Sequence, residues 1–264
     1  FQAEDGIRYL VRSRGLGDVY KRQVKLHPRL SEYEHDIGRA LLQYYPRCFT
    51  VLADEGIAGN LRRPVRRTIV GSRSRTVHKE NGVIFHLDAR EVMFSPGNLR
   101  ERMRMSRLGR GETVVDMFSG VGPVAIMIAK LSRPGVVYAI DLNPGAVQLM
   151  RENVELNRVA GVVPLEGDAR QWVFDLPCAD RVIMNLPHSA IDFFADALTR
   201  LKLGGVMHLY HICDRNDFPP VLEALKQTGF GMSVSLEVLR SEELKTYSPS
   251  SSMYSADLLL AGWL

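Results

Sequence analysis

Four polar residues in the middle of the chain each follow a short apolar segment, and their side chains could bind one small polar ligand. The four residues are Asp116, Asp141, Asp168 and Asn185. Apolar segments separated by helical patterns are typical of parallel strands, and ligands of such sheets bind at the carboxyl ends of the strands. We therefore expect these three carboxylates and one amide to lie at one edge of a sheet.

The most specific stretch runs from Asp116 to Pro123 and reads Asp-Met-Phe-Ser-Gly-Val-Gly-Pro. It joins an apolar strand pattern to a helical pattern over residues 124–131, which indicates a strand, a glycine-rich loop and a helix N-terminus. Gly120 permits a sharp turn, and Gly122 permits a close approach of the backbone to a ligand. The free N–H groups at such a helix start attract polar or anionic groups.

Two cofactors fit this loop. Residues 120–125 match the dinucleotide fingerprint G-x-G-x-x-A, and Asp141 is the expected ribose-binding acid in either case. Asp116 within its strand, Asp168 as a partner for an adenine edge, and Asn185 followed by Leu-Pro favour S-adenosylmethionine. The predicted cofactor-binding residues are Asp116, Phe118, Gly120, Gly122, Asp141, Leu142, Asp168, Ala169 and Asn185.

These motifs resemble the class I methyltransferases that modify guanine 37 of tRNA at N1, which share a superfamily with the wybutosine-pathway aminocarboxypropyl transferases. The resemblance rests on residues 116–123, 141–144, 167–170 and 185–190, and it covers roughly residues 57–264. It implies a Rossmann-like, doubly wound α/β sheet with a final antiparallel hairpin, preceded by a small α/β domain. It also implies a cytoplasmic monomer that acts on the anticodon stem-loop of tRNA.

The resemblance also implies roles for four catalytic residues. Glu101 would accept the proton of guanine N1, although its arginine neighbours are equally typical of a surface salt bridge. Asn185 and the backbone around Pro187 would orient the guanine edge. Arg62 would hold O6, or it would contact a phosphate like the arginines beside it.

One departure from the family pattern leaves the transferred group open. The methyltransferases commonly read Ser-Pro-Arg-Leu before the helix of the catalytic Glu, whereas this chain reads Ser-Pro-Gly-Asn over residues 95–98. The departure favours aminocarboxypropyl transfer, and Asn-Leu-Pro at 185–187 favours methyl transfer. A non-catalytic RNA-binding module would have lost Asp141, Asp168 or Asn185, and the chain retains all three.

The remaining periodicity divides the chain into three parts. Residues 1–23 are without a clear pattern and are interpreted as a non-native leader. Residues 24–88 predict a small α/β domain on the RNA side, with a helix over 30–45, a loop over 54–64 and a hairpin turn at Asn81-Gly82. Residues 89–264 predict the catalytic domain. Its expected helices are 124–131, 145–157, 191–201 and 219–228, and its expected strands are 113–118, 136–140, 162–165, 181–185, 205–212, 232–239 and 254–261.

Composition limits the remaining possibilities. The net charge is +4, and two arginine clusters, at 62–79 and 100–107, favour phosphate contact. The three cysteines are far apart, which indicates free thiols of a reducing compartment. The seven histidines form no ligand spacing, so no metal is expected, and no apolar run is long enough to span a membrane.

Overall fold

The computed structural model describes residues 11–15, 21–59, 63–95 and 98–264. A four-stranded sheet comes first, in the order β1-β2-β3-β4. Its strands are β1 (Val11–Gly15), β2 (Lys21–Leu26), β3 (Thr50–Ala58) and β4 (Arg63–Val70). A 3-10 helix (Pro28–Tyr33) leads into α1 (Glu34–Tyr44), which packs on β3 and β4. Val24, Val51 and Ile69 form the centre of this small core.

The sheet differs from the sequence-based prediction in two places. Strands β3 and β4 occupy most of residues 54–64, which were expected to be a loop, and residues 60–62 lie outside the described part of the chain. Residues 11–15 and 21–23 take part in the sheet, and the expected boundary at residue 24 falls inside β2.

Strands β5 (Arg75–Glu80) and β6 (Val83–Asp88) form the predicted antiparallel hairpin around Asn81-Gly82. Val83, Phe85 and Leu87 pack with apolar residues of the catalytic domain rather than with the small sheet. Because its apolar face lies there, the hairpin packs with the catalytic domain, although it precedes the boundary expected after residue 88.

Helices and strands then alternate, with two differences from the prediction. The helix Ala169–Asp175 was not predicted, and the helix expected over 191–201 is a 3-10 helix (Ala190–Phe193) followed by a short α-helix (Phe194–Leu198). The helices are α2 (Leu99–Met105), α3 (Pro123–Ser132), α4 (Pro144–Asn157), α5 (Ala169–Asp175), α6 (Phe194–Leu198) and α7 (Phe218–Gly231). The strands are β7 (Thr113–Asp116), β8 (Val136–Asp141), β9 (Val162–Glu166), β10 (Ala179–Met184), β11 (Leu201–Asp214), β12 (Val234–Thr246) and β13 (Ser251–Trp263).

These seven strands form one sheet in the order β12-β13-β11-β10-β7-β8-β9. The pairs from β11 to β9 are parallel, whereas β13 is antiparallel to both β11 and β12. The order reverses direction at β7, so the carboxyl ends of β7 and β10 flank the switch point where ligands bind in such sheets. The predicted doubly wound α/β fold with a final antiparallel hairpin is confirmed.

Two Asn side chains of α4 fasten the β5–β6 hairpin to this sheet. The Asn157 amide accepts from the Ile84 N–H at 2.8 Å and donates to the Ile84 carbonyl at 2.6 Å. Asn153 makes the same pair of bonds with His86, at 2.6 and 3.2 Å. Both amides are buried and replace the neighbouring strand that β6 lacks on this side. No helix of the described residues is long and apolar enough to cross a bilayer.

Candidate cofactor and acceptor site

A cavity of about 420 Å³ lies at the carboxyl ends of the central strands. We call it the main pocket. Most of the residues that the sequence singled out line its wall, although they come from four separate loops. Those residues are Phe118, Gly120, Asp141, Leu142, Asp168, Ala169, Asn185 and Pro187. The prediction that these strand ends lie at one edge of the sheet is therefore confirmed.

The glycine loop fixes Asp141 at the wall of the main pocket. The Gly120 N–H donates to Asp141 Oδ2 at 2.6 Å, and the Asn143 N–H donates to Oδ1 at 2.9 Å. Gly120 has a φ of +56°, and a Cβ there would meet open space, so its left-handed backbone is what favours glycine. Burial raises the pKa of Asp141 even though both amides favour the carboxylate. The carboxylate is thus held rigidly, with lone pairs left for a ligand hydroxyl.

Gly122 does not line the main pocket, which differs from its predicted role. It precedes α3 with a φ of +84°, and a Cβ there would lie 2.9 Å from Met150 Cγ of α4. The absence of a side chain therefore serves the left-handed turn and the close packing of α3 on α4, rather than the approach of a ligand.

Asp116 lies at the end of β7, is 1% exposed and does not reach the main pocket. Neither of its carboxylate oxygens makes a hydrogen bond of ordinary geometry among the described residues, and the Ser119 hydroxyl donates to the Asp116 backbone carbonyl. The Ser119 side chain and the Phe118 N–H are still close enough to lower the pKa of Asp116 in part. Burial raises the pKa of Asp116 to about 7. A buried carboxyl with so few donors is costly to ionise, so Asp116 keeps its proton over a wider pH range than an exposed aspartate.

The opposite end of the main pocket is aromatic. Phe118 meets Phe193 edge to face at 4.9 Å between ring centroids, and the Arg170 guanidinium lies 4.1 Å from the Phe193 centroid. Asp168 caps α5 by accepting from the Arg170 N–H at 2.8 Å. Phe193 was not predicted as a site residue, because it lies in a short 3-10 helix whose apolar residues are typical of a hydrophobic core.

The turn after β10 forms another part of the wall of the main pocket. Asn185 is half-buried, and the Pro187 carbonyl accepts from the Ile212 N–H of β11 at 2.9 Å. The Leu186 carbonyl accepts from the Ser189 and Ala190 N–H groups at 3.0 and 2.8 Å. The backbone of the turn is therefore fixed by the Leu186 and Pro187 carbonyls. The Asn185 side chain is not used in these bonds and can contact a ligand.

Glu101 lies behind this turn. A small cavity of about 10 Å³, near the smallest volume that holds one water, is lined by both Glu101 and Asn185. Glu101 is 7% exposed, and Arg104 donates to its Oε2 at 3.0 Å. The salt bridge considered from the sequence exists, but it is buried rather than on the surface. A buried carboxylate beside the pocket is a stronger candidate for chemistry than an exposed one.

A second buried ion pair joins the β5–β6 hairpin to α2. Arg102 donates to both Glu80 oxygens at 2.6 and 2.7 Å and to the Ser95 carbonyl at 2.8 Å. His78 contacts Glu80 at 2.9 Å, and the Arg102 guanidinium lies 5.0 Å from the centre of the Phe94 ring. Arg102 lines the main pocket, so the hairpin shapes that wall.

The arginine clusters are less free for phosphate contact than the sequence indicated. Arg66 is half-buried and donates to the Ala89 and Val92 carbonyls, which ties the small sheet to the segment before α2. Arg67 pairs with Glu34 at 2.7 Å. Arg62, the candidate for holding guanine O6, lies outside the described residues. Among the described arginines, exposed ones such as Arg107 are better placed to meet RNA.

The tip of the β12–β13 hairpin contributes residues that the sequence did not point to. Lys245 and Tyr247 line the main pocket, and Lys245 donates to Asn98 Oδ1 at 2.8 Å. The Tyr247 hydroxyl lies 3.2 Å from His188 Nε2 at the pocket rim. These residues are far from the motifs along the chain, and only the antiparallel hairpin brings them here.

Comparison with known proteins identifies the family. A sequence model described as the TRM5/TYW2 methyltransferase domain matches residues 76–236. The chain belongs to this family. A second model, described as the TYW2 N-terminal domain, matches residues 16–74, so the two matched segments meet at the β5–β6 hairpin. The predicted resemblance is confirmed.

Relatives carry two different activities in their names. Trm5b of Pyrococcus abyssi, a tRNA (guanine(37)-N(1))-methyltransferase, is 36% identical over 230 residues, which cover 86% of this chain and 68% of that protein. Its crystal structure has a TM-score of 0.82 at 33% identity and covers 93% of this chain and 74% of that chain. A tRNA(Phe) (4-demethylwyosine(37)-C(7)) aminocarboxypropyltransferase of Methanocaldococcus jannaschii is 37% identical over 196 residues, 73% of this chain and 78% of that protein. The crystal structure of TYW2 of Pyrococcus horikoshii in complex with MeSAdo has a TM-score of 0.78 at 28% identity. The match covers 96% of this chain and 93% of that chain.

Proposed function

We propose that this chain transfers a methyl group from S-adenosylmethionine to N1 of guanine 37 in tRNA. The observation that carries the proposal is the small cavity lined by both Glu101 and Asn185, beside the main pocket. It places a carboxylate and an amide on one side of the space where an acceptor base would meet the cofactor. The resemblance assigns proton removal and base orientation to these two residues.

The residues of the main pocket fit S-adenosylmethionine. Asp141 would accept from ribose hydroxyls, and Asp168 with Ala169 would meet the adenine edge. Phe118 would pack against the adenosine. The cofactor, when bound, supplies an electrophilic carbon attached to a sulfonium.

The acceptor chemistry needs a base, because guanine N1 carries a proton at neutral pH. Glu101 would take this proton, and it must come within hydrogen-bond reach of N1 to do so. Asn185 would orient the guanine edge, with the backbone around Pro187 as the wall beneath it. Most of the rate would come from alignment of the reacting atoms. The target base must leave its stack in the tRNA anticodon loop to reach this depth.

Aminocarboxypropyl transfer is the second candidate. It is favoured by Gly97 and Asn98 where the methyltransferases have arginine and leucine, and by the N-terminal domain match to TYW2. The identities to the two kinds of relative, 36% and 37%, are nearly equal. Methyl transfer is preferred because Asn185, Leu186 and Pro187 line the main pocket and supply the acceptor-side wall that N1 transfer needs.

One experiment separates the candidates. The chain is incubated with S-adenosylmethionine and tRNA in two parallel reactions, one with guanosine and one with 4-demethylwyosine at position 37 of the tRNA. The tRNA is then digested, and the masses of the nucleosides are measured by mass spectrometry. A methyl adduct on guanosine supports the proposal, whereas an aminocarboxypropyl adduct on the wyosine base supports the second candidate. Glu101→Gln should lower the single-turnover rate by roughly 10²–10⁴ if Glu101 is the base. Absence of both adducts in the wild type would contradict both candidates.

A further inference from the structure

A line of buried charged side chains continues from Glu101 into the core. Arg104 donates through Nε to Glu101 Oε2 at 3.0 Å, and its other two nitrogens donate to the Asp257 carboxylate at 2.7 and 3.2 Å. Asp257 Oδ1 lies 2.7 Å from His208 Nδ1, and His208 Nε2 lies 3.2 Å from Arg181. The line therefore joins α2 to strands β13, β11 and β10.

The hydrogen-bond partners determine the charges along this line. Arg181 can only donate, so His208 Nε2 must be the acceptor, and Nδ1 must carry the proton that is given to Asp257. Burial lowers the pKa of His208, which agrees with a neutral ring. Burial alone would raise the pKa of Asp257, but the His208 bond and the Arg104 charge lower it to about 2. Asp257 is therefore a permanent anion that holds Arg104 in place.

Tyr210 approaches Glu101 from β11. Its hydroxyl lies 3.1 Å from Glu101 Oε2, and the side chain is 3% exposed. Burial and the neighbouring Glu101 carboxylate raise the pKa of Tyr210, so the phenol keeps its proton and donates. Glu101 Oε2 thus receives two donors, from Tyr210 and Arg104. Among the described residues, Glu101 Oε1 has the longer contact of 3.3 Å with Arg240.

We propose that Tyr210 and Arg104, with Asp257 behind Arg104, are positioning residues that hold Glu101 Oε2. Oε1, whose contact among the described residues is the longer one of 3.3 Å from Arg240, is then the oxygen that accepts the substrate proton when that contact is exchanged. The inference rests on the proposed role of Glu101 as the base. A carboxylate fixed by donors on one oxygen loses little rotational freedom when the substrate arrives, which is how positioning contributes to rate. Tyr210 also lines the small cavity shared with Asn185, so its bond orients Glu101 at that wall.

The test compares single-turnover rates of Tyr210→Phe in the wild-type background and in the Glu101→Gln background. In the wild type, loss of a hydrogen bond to a charged group should slow transfer by about 10- to 100-fold. In Glu101→Gln, the same change should slow transfer little further, because residues that act through one another are not additive. Calorimetry should find the S-adenosylmethionine affinity of Tyr210→Phe close to that of the wild type.

Tyr254→Phe is the matched control. Tyr254 is a buried tyrosine of the same sheet, and its hydroxyl donates at 2.9 Å to the Arg215 carbonyl, away from Glu101. Its rate should stay near that of the wild type. Asp257→Asn is the second variant, and its slowing should likewise disappear in the Glu101→Gln background. If circular dichroism shows that Tyr210→Phe is not folded, Asp257→Asn replaces it in the same comparison.

Two results would overturn the inference while leaving the proposed function standing, and a third would remove the premise that the two share. A normal rate for Tyr210→Phe would remove its positioning role. Equal slowing in both backgrounds would show that Tyr210 acts through general structure and not through Glu101. A normal rate for Glu101→Gln would contradict the base assignment itself, and the inference would fall with it.

Discussion

Replacing Asp116 with asparagine should make the protein more stable at alkaline pH and remove one pH dependence of its stability. Asp116 is fully buried, and its carboxylate oxygens make no hydrogen bond of ordinary geometry among the described residues, although the Ser119 side chain and the Phe118 N–H lower its pKa in part. Asparagine has nearly the same shape but carries no titrating group. The ligand-free protein should therefore tolerate the change, because it removes a buried charge rather than a bond.

The magnitude follows from the pKa of Asp116. Burial raises this pKa from 3.8 to about 7. Since one unit corresponds to about 1.4 kcal/mol, ionisation inside the folded protein costs about 4 kcal/mol. Between these two pH values the folded state holds a proton that the unfolded state has released. The contribution of Asp116 to stability is therefore fully present below about pH 4, and it is lost as the pH rises to about 7.

Urea unfolding of the wild type and Asp116→Asn, at about pH 5 and about pH 8.5, measures this contribution. The unfolding free energy of Asp116→Asn minus that of the wild type should be about 2–3 kcal/mol larger at about pH 8.5 than at about pH 5. Asp141, whose pKa burial also raises, is present in both proteins, so only its coupling to Asp116 enters the difference. Asp175→Asn, at the exposed end of α5, controls for the loss of one negative charge. A difference that does not change with pH would refute the reasoning.

Three further predictions concern stability and RNA binding. Asn153→Ala should lower the unfolding free energy by about 2–4 kcal/mol, measured by urea, because the backbone groups of His86 lose their partners. Gly38→Ala should destabilise by about 1–3 kcal/mol in the same assay, although alanine favours helices, because its Cβ would lie 2.6 Å from Val70 Cγ2; a gain in stability would contradict this packing. Arg107→Ala should reduce the slope of log affinity for tRNA against log salt by about 1, and an unchanged slope would exclude a phosphate contact there.

Local signals in the sequence were sufficient for much of the catalytic domain. The glycine turn over 119–122 and the hairpin turn at Asn81-Gly82 both require left-handed backbone, and the structure has positive φ at Gly120, Gly122, Asn81 and Gly82. The central strands are buried on both faces and read as continuous apolar runs. Such elements are recognisable because the residues that form them also determine their conformation.

Edge strands were less visible for a physical reason. Strand β12 was expected to end at 239 but continues to Thr246, and its second half alternates between half-buried and exposed residues. The first two residues of strand β4 (Arg63–Val70) fell in the predicted loop over 54–64, and only 68–70 were predicted as a strand, because exposed and half-buried arginines alternate along its first half. A strand at the edge of a sheet needs few apolar side chains, and charges there oppose aggregation. Its conformation is set by hydrogen bonds to a neighbour, which no local pattern encodes.

The chemistry of individual residues was thus determined by the sequence, and their partners by the tertiary structure. Asp141, Asp168 and Asn185 could be assigned to one wall because parallel strands bring their carboxyl ends together. The burial of Glu101 and its bonds to Tyr210 and Arg104 could not be foreseen, because Tyr210 and Asp257 come from strands more than a hundred residues away. The same helix sequence on a protein surface would form the exposed ion pair that its spacing suggests. Only the packing of α2 against β11 and β13 turns that pair into a buried, oriented carboxylate.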